Sequence, residues 1–325
     1  MRKMLGHFLD LLAFSGQTIT FAGVNKILAS VPQSMEEVQS KEWQEKSNAN
    51  HLIDLAVANK SLTAIQQSDL GLAIEYLLGV LPKMEERLRS GIMATLDSIT
   101  YPFLRGRLAT LCDGKTNLCP DDCFRGERAA IIILDVPIKQ FHQTGQFIQI
   151  LWKRLWQQAA EKRDTKAYPR PLCLYCDEAQ NFCTKYDSLF QATARSSRVC
   201  SVLMTQTLAS LESQLGKSET ESLLANLNLK IFCANDHVPT NEWAAKKVGE
   251  SWVFGSNASA SFTGEGNASG GVSEQRRFIV EPSEFVRLGR GGEENNYLVD
   301  CIAFRSGRPF EATGTNHIRV RFPQK

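Results

Sequence analysis

No apolar run in this 325-residue chain exceeds the six residues 129–134 (AAIIIL), far short of the roughly 20 that a membrane-spanning helix requires. The early stretch GHFLDLLAF is broken by Asp10 and has no small-residue cleavage pattern, which argues against a secretory leader. An excess of one charge is lacking too. Lys and Arg total 37 against 35 Asp and Glu, so bulk charge points to neither nucleic acid nor a membrane surface. Residues 1–100 hold nine basic and eleven acidic side chains, and the slight basic lean lies in the remainder. Nine cysteines are too few and too scattered for a disulfide scaffold, and Cys173, Cys200, Cys233 and Cys301, inside apolar runs, read as small buried hydrophobes in a reducing compartment. No disulfide is expected, and the expected location is the cytoplasm. With 43% apolar and 22% charged residues, the chain has the composition of a folded protein rather than a disordered one.

What is present divides at about residue 100. Over residues 1–98 apolar side chains recur at three- and four-residue spacing, as in HLIDLAVANKSL and DLGLAIEYLLGVL, which predicts an all-helical domain over 1–100. From 129 onward, compact apolar runs alternate with amphipathic stretches. The runs are 129–136, 171–178, 199–206, 229–235 and 297–304. Between the first two, Ile148, Leu151, Trp152, Leu155 and Ala159 mark the face of a helix. Continuous apolar strands joined by helices predict an α/β domain over 101–325, with a parallel sheet covered on both faces. Residues 255–273, rich in Gly, Ser, Ala and Asn, read as a flexible surface loop.

The strongest chemical signal is the strand-like LCLYC followed by Asp177 and Glu178. Two acids at the carboxyl end of a buried parallel strand form a Walker B pattern. One carboxylate can hold the water shell of a nucleotide-bound Mg²⁺, and the next can polarise the water that attacks a γ-phosphate. The following strand ends at Thr205-Gln206, and in a doubly wound sheet a strand-end amide lies beside those acids, where it can sense the γ-phosphate or orient water. Arg195 and Arg198, on or just after the intervening helix, are candidates for a finger reaching a neighbouring subunit's phosphate.

These residues carry a resemblance. The stretch DEAQNF…ATARSSRVCSVLMTQTLASLESQLG…LLANLNLKIFCAND…WAAKKVGE resembles the second half of the motor domain of the conjugative type IV secretion coupling ATPases, the TraG/TraD family, relatives of the FtsK and HerA DNA translocases. LRSGIMATL, ILDVPIKQFHQTGQ and EPSEFVRLGRGGEENNYLVDCIAFRSGRPF extend the likeness over most of the chain. The resemblance implies an incomplete RecA-like P-loop NTPase sheet with an all-helical domain. It implies that Asp177 holds Mg²⁺ through water, that Glu178 activates the attacking water, that Gln206 senses the γ-phosphate and that Arg195 is an inter-subunit finger. It further implies ATP as the nucleotide, a hexameric homo-oligomeric ring at the cytoplasmic face of the inner membrane, and DNA, a relaxase and the components of a type IV secretion channel as partners.

The chain departs from that family at one decisive place, for no Gly-x-x-x-x-Gly-Lys-Ser/Thr occurs in it. Such a loop cradles phosphates on successive backbone N–H groups and a helix N-terminus. Asp113-Gly114-Lys115-Thr116 imitates its end, but Ala109 stands at the first glycine's place and Pro120 interrupts the helix that should follow. The family's membrane-spanning N-terminus has no counterpart either. ATP and Mg²⁺ are therefore expected only if an upstream segment or another polypeptide supplies the P-loop; the alternative is a non-catalytic assembly or binding protein, or a remnant of such an ATPase. Cys112, Cys119 and Cys123, near Asp113, Asp121 and Asp122, have gaps that fit no common zinc module. His142 and His237 read as structural. Gly289-Arg290-Gly291-Gly292, with Arg287, Arg276 and Arg277, is a loop suited either to DNA phosphates or to a solvated turn, and no DNA-contacting residue is assigned.

Overall fold

Hydroxyl residues punctuate the first hundred positions and start five of the helices there. Thr20, Ser34, Ser40 and Ser47 each accept a hydrogen bond from the backbone N–H three residues on, and Thr63 forms a capping box with Gln66. Each cap satisfies a donor that a helix start otherwise leaves orphaned. The helices so begun follow α1 (Arg2–Phe14) and are α2 (Phe21–Ser30), α3 (Met35–Gln39), α4 (Lys41–Lys46), α5 (Asn48–Ala58) and α6 (Ala64–Glu75). A π turn over Tyr76–Val80 then precedes α7 (Glu86–Thr100) and α8 (Gly106–Cys112). Met4, Phe8 and Leu11 of α1, Ile27 of α2, Leu52 and Ile53 of α5, Leu77, Leu81 and Leu96 close into one apolar cluster. Trp43 joins it with its ring buried and its indole N–H donated to the Ser30 carbonyl, 2.9 Å away, which leaves no polar atom stranded.

The computed structural model describes residues 1–112, 114, 116–126, 129–261 and 267–324, with only the backbone described for 255–261 and 267–272. The chain divides into two compact units, Met1–Leu118 and Cys119–Lys325. The second is α/β, as its alternating runs predict. It comprises α9 (Pro120–Arg125), α10 (Ile138–Lys162), β1 (Leu172–Cys176), α11 (Lys185–Thr193), β2 (Val199–Leu203), α12 (Leu208–Leu215), α13 (Lys217–Asn226), β3 (Leu229–Phe232), α14 (Val238–Val248), β4 (Glu250–Ser261), β5 (Asn267–Phe278), α15 (Pro282–Val286), β6 (Leu298–Arg305) and β7 (His317–Pro323).

Strand pairing differs in detail from the expected single parallel sheet. β1 and β2 are parallel, with Leu172 opposite Val199 and Cys176 opposite Leu203. β6 runs antiparallel to both β3 and β7, because an apolar run is equally well buried in either direction and carries no signal of its polarity. Residues 129–136, read as a strand, form none. Ile131 is 91% and Ile133 83% exposed, and a strand exists only where a neighbouring backbone accepts its hydrogen bonds. Residues 255–261 and 267–273, read as loop, are instead the upper part of the β4–β5 hairpin, with Gly255 opposite Ser273. Backbone pairing asks little of side chains once Trp252, Val253 and Phe254 have started the ladder. The tip, 262–266, lies outside the described residues.

Two side-chain expectations also change. Cys301 is buried, but Cys173, Cys200 and Cys233 are exposed. On α10 the buried set is Gly145, Lys153, Trp156, Gln157, Ala159 and Ala160, whereas Leu151 and Leu155 are exposed. The helix therefore turns a partly polar face inward, and His142, at φ 48°, kinks it near its start.

Candidate functional site

β1 delivers Asp177 and Glu178 to its carboxyl end, and the parallel register brings the tip of β2 alongside. Two backbone bonds splice the tips together: Met204 N–H donates to the Cys176 carbonyl at 2.9 Å, and Ala179 N–H donates to the Met204 carbonyl at 2.7 Å. Between these bonds Glu178 adopts φ 47°, ψ 45°, the left-handed region. A glutamate there is uncommon and costs free energy, and such residues concentrate at functional sites.

The strained turn aims the Glu178 carboxylate at two amides. Gln206 Nε2 donates to its Oε1 at 3.0 Å, and Gln180 Nε2 donates to its Oε2. Thr205 Oγ1 in turn donates to Gln180 Oε1 at 2.8 Å, while Asn235 Nδ2 holds the Gln206 carbonyl at 2.6 Å. Acid and strand-end amide, 28 residues apart, are thus in direct contact. Asp177 is exposed, and its Oδ1 accepts the Glu178 N–H at 2.9 Å. A carboxylate oriented by two amides can take a proton from water. An exposed neighbouring carboxylate can hold a hydrated divalent cation.

A buried ion pair behind this turn escaped the sequence reading. Lys153 of α10 places Nζ 2.6 Å from Asp187 Oδ1, with both side chains buried, and also donates to the Phe182 carbonyl at 2.8 Å. Gln157 Nε2 adds a bond to Asp187 at 2.8 Å, and Asp187 caps the start of α11 through Thr184. Gln146 Nε2 binds the Asn181 carbonyl at 2.5 Å. α10 therefore grips the segment that follows the acid pair, through groups that satisfy one another as a buried charge requires. The available signal was Lys153 and Gln157 at i, i+4 among apolar residues of one helix. Burial raises the thiol pKa of nearby Cys176 and pushes Cys183 up to about 12, so neither is a thiolate at neutral pH.

Arg195 lies exposed on the turn after α11 and makes no ion pair among the described residues. Arg198, the other candidate, is engaged: its Nη1 donates to the Pro169 carbonyl at 2.9 Å. His237 caps locally, with Nδ1 2.8 Å from Thr240 Oγ1. Of the Asp113-Gly114-Lys115-Thr116 stretch, Asp113 and Lys115 lie outside the described residues. Gly216-Lys217-Ser218 opens α13, but it follows a helix rather than a strand, and Leu211 stands at the first glycine's place, so it cradles no phosphate in the P-loop manner. Among the described residues, no three His, Cys, Asp or Glu side chains gather as a metal site. No helix among them is long and apolar enough to cross a membrane. Arg276, on β5, pairs with Glu250 at 3.4 Å.

Comparison with known proteins agrees with this fold. Residues 171–290 match the family described as the TraM recognition site of TraD and TraG, and the TraG/TraD resemblance of the chain stands on that match and on its fold. No curated protein matches the chain. Among solved structures, the bacterial conjugative coupling protein TrwB in an unbound monoclinic form is similar over 100% of this chain and 62% of its own, with TM-score 0.54 and 13% identity. The plasmid coupling protein TrwB in complex with the non-hydrolysable GTP analogue GDPNP gives TM-score 0.56 and 12% identity over the same shares of the two chains. TrwB in complex with ADP and Mg²⁺ gives TM-score 0.51 and 14% identity, covering 93% of this chain and 67% of its own. The chain thus spans about three fifths of the length of the first two structures.

Proposed function

We propose that this chain is the C-terminal portion of a type IV secretion coupling protein, an ATP-driven translocase that delivers DNA or a relaxase–DNA adduct to a secretion channel. The observation that carries the reading is the 3.0 Å contact between Gln206 and Glu178 at the tips of two parallel strands. It unites a strained, amide-held carboxylate with a strand-end amide, two groups able to activate and orient a water for γ-phosphate hydrolysis.

Asp177 fits a Mg²⁺ ion held through water, because it is exposed and an acceptor. Mg²⁺ characteristically keeps several waters and takes one or two carboxylates. When bound, the ion would neutralise charge on the transferring phosphoryl group. Glu178 takes the proton of the attacking water, and Gln206 orients that water and registers the γ-phosphate. Arg195, exposed and without an ion pair among the described residues, reaches a neighbouring subunit in a ring. The chain carries no Gly-x-x-x-x-Gly-Lys-Ser/Thr to cradle the triphosphate, so the P-loop comes from sequence upstream or from another polypeptide. Its covering surface for 129–136 has the same source. DNA, a relaxase, channel components and a TraM-type partner of 171–290 are the proposed partners, met at the cytoplasmic face of the inner membrane.

The test is Glu178→Gln in a complex reconstituted with the P-loop-bearing part. Turnover falls on the order of 10²-fold or more if Glu178 is the base, and unchanged turnover removes that role. One observation favours a second reading, an assembly protein without hydrolysis: the chain has no Gly-x-x-x-x-Gly-Lys-Ser/Thr. Nucleotide binding by no reconstituted assembly, together with stoichiometric binding to an ATPase subunit, would select it.

A further inference from the structure

Cys233 and Cys301 meet across the antiparallel sheet. The β3–β6 register pairs Phe232 with Ile302, and one step further puts Cys233 opposite Cys301, with Sγ atoms 3.3 Å apart. Directly opposed residues in an antiparallel pair have Cα atoms roughly 4.5–5.5 Å apart, inside the roughly 4.4–6.8 Å that a disulfide spans. A small side-chain rotation, with no slip of the strands, joins the two sulfurs.

The two thiols are unequal. Cys233 is exposed, whereas Cys301, on the central strand of its sheet, is buried. Burial first, then the hydrogen bond to Cys233, pushes the Cys301 thiol up to about 12. A reagent from solvent therefore meets Cys233, and Cys301 is reached only from within. Once Cys233 is derivatised, Cys301 already touches the sulfur it must attack, and a nucleophile fixed in contact reacts far faster than one that must diffuse in.

We propose that Cys233 and Cys301 form a dithiol modification site that accepts a low-molecular-weight disulfide of the glutathione class. The Cys233 thiolate attacks one sulfur of the reagent, forms a mixed disulfide and expels one thiol. The Cys301 thiol then attacks Cys233 Sγ as its proton passes to the departing sulfur, which forms the intramolecular disulfide and expels the second thiol. The pair loses two electrons and the reagent gains them, while both protons leave on the released thiols. The bridge sits two residues before Asn235, which holds the Gln206 carbonyl and receives a bond from Asn241, so it clips the segment that supports the strand-end amide.

The experiment treats the full chain under native conditions with oxidised glutathione, alkylates the remaining thiols and maps the peptides by mass spectrometry. The expected result is a linked Cys233–Cys301 peptide and the loss of those two alkylatable thiols. Cys301→Ala is expected to trap a stable glutathione adduct on Cys233, and Cys233→Ser to leave Cys301 unmodified. A persistent adduct on wild-type Cys233 overturns the proposal. So does an unreacted Cys233 while the exposed Cys173 and Cys200 take up glutathione. Mapping of the wild-type chain decides this by itself if either variant folds poorly, and no outcome depends on ATP turnover.

Discussion

In Met1–Leu118 most of the buried apolar residues join one cluster, which runs from Met4 of α1 to Leu96 of α7. In Cys119–Lys325 burial among the described residues is split between a cluster around Trp156 and Phe190, one around Phe285 and Ile302, and one around Leu211 and Leu223. The backbone explains the contrast. A helix closes its hydrogen bonds within itself, so an amphipathic helix needs only another apolar stripe. A strand closes its bonds on a neighbour, and where none is present, as over 129–136, even Ile131 and Ile133 stand in water. Elsewhere in the α/β unit side-chain polarity joins elements, as Lys153 of α10 and Asp187 of α11 do.

Lys153→Ala is expected to break this comparison most severely. It leaves Asp187 buried without its partner, at a cost of about 3–5 kcal/mol, and releases the Phe182 carbonyl. Urea unfolding followed in the second unit checks it, and a loss below about 1 kcal/mol would show that the pair is dispensable.

A smaller effect sharpens the contrast from the other side. His7 lies within the helical unit with neither ring nitrogen hydrogen-bonded, and its ring centroid is 4.8 Å from that of Tyr76. Burial, and then Lys3, lower its pKa. The folded unit resists its protonation, so the contribution to stability is complete above the unfolded value of about 6.5 and is lost as pH falls toward the lowered folded value. Calorimetry between neutral and mildly acidic pH should show a falling melting temperature that His7→Phe flattens; a parallel decline in both proteins would exclude His7 as the cause.

The least change in stability is expected from Ile131→Ser combined with Ile133→Ser. Exposed positions without partners usually move stability by no more than about 0.5 kcal/mol. Solubility of the chain should rise while denaturant midpoints stay put. A midpoint shifted well beyond that would mean that 129–136 is already packed in solution.

Much of the candidate site was legible, because its chemistry is written in short contiguous stretches. The acids follow LCLYC, and Gln206 closes an apolar run. The αL strain at Glu178 was not legible, since it arises from splicing Ala179 and Met204 across two strand tips. Neither was the pairing of Lys153 with Asp187, whose members are 34 residues apart and are joined only when α10 lies over the turn. The thiols misled for a related reason: on a two-stranded sheet such as β1–β2, the alternation that buries Leu172 and Cys176 exposes Cys173, and that face is covered only if something else packs there.

By itself the sequence determined the helical character of the first unit, the α/β character of the second, the acid pair with its strand-end glutamine, and the absence of a Gly-x-x-x-x-Gly-Lys-Ser/Thr motif. All of these follow from local spacing and residue type. Tertiary structure alone decided which runs become strands, their direction, the inward face of α10, the contact of Gln206 with Glu178 and the meeting of Cys233 with Cys301. Each of these depends on which distant backbone arrives alongside, and short-range pattern carries no record of that.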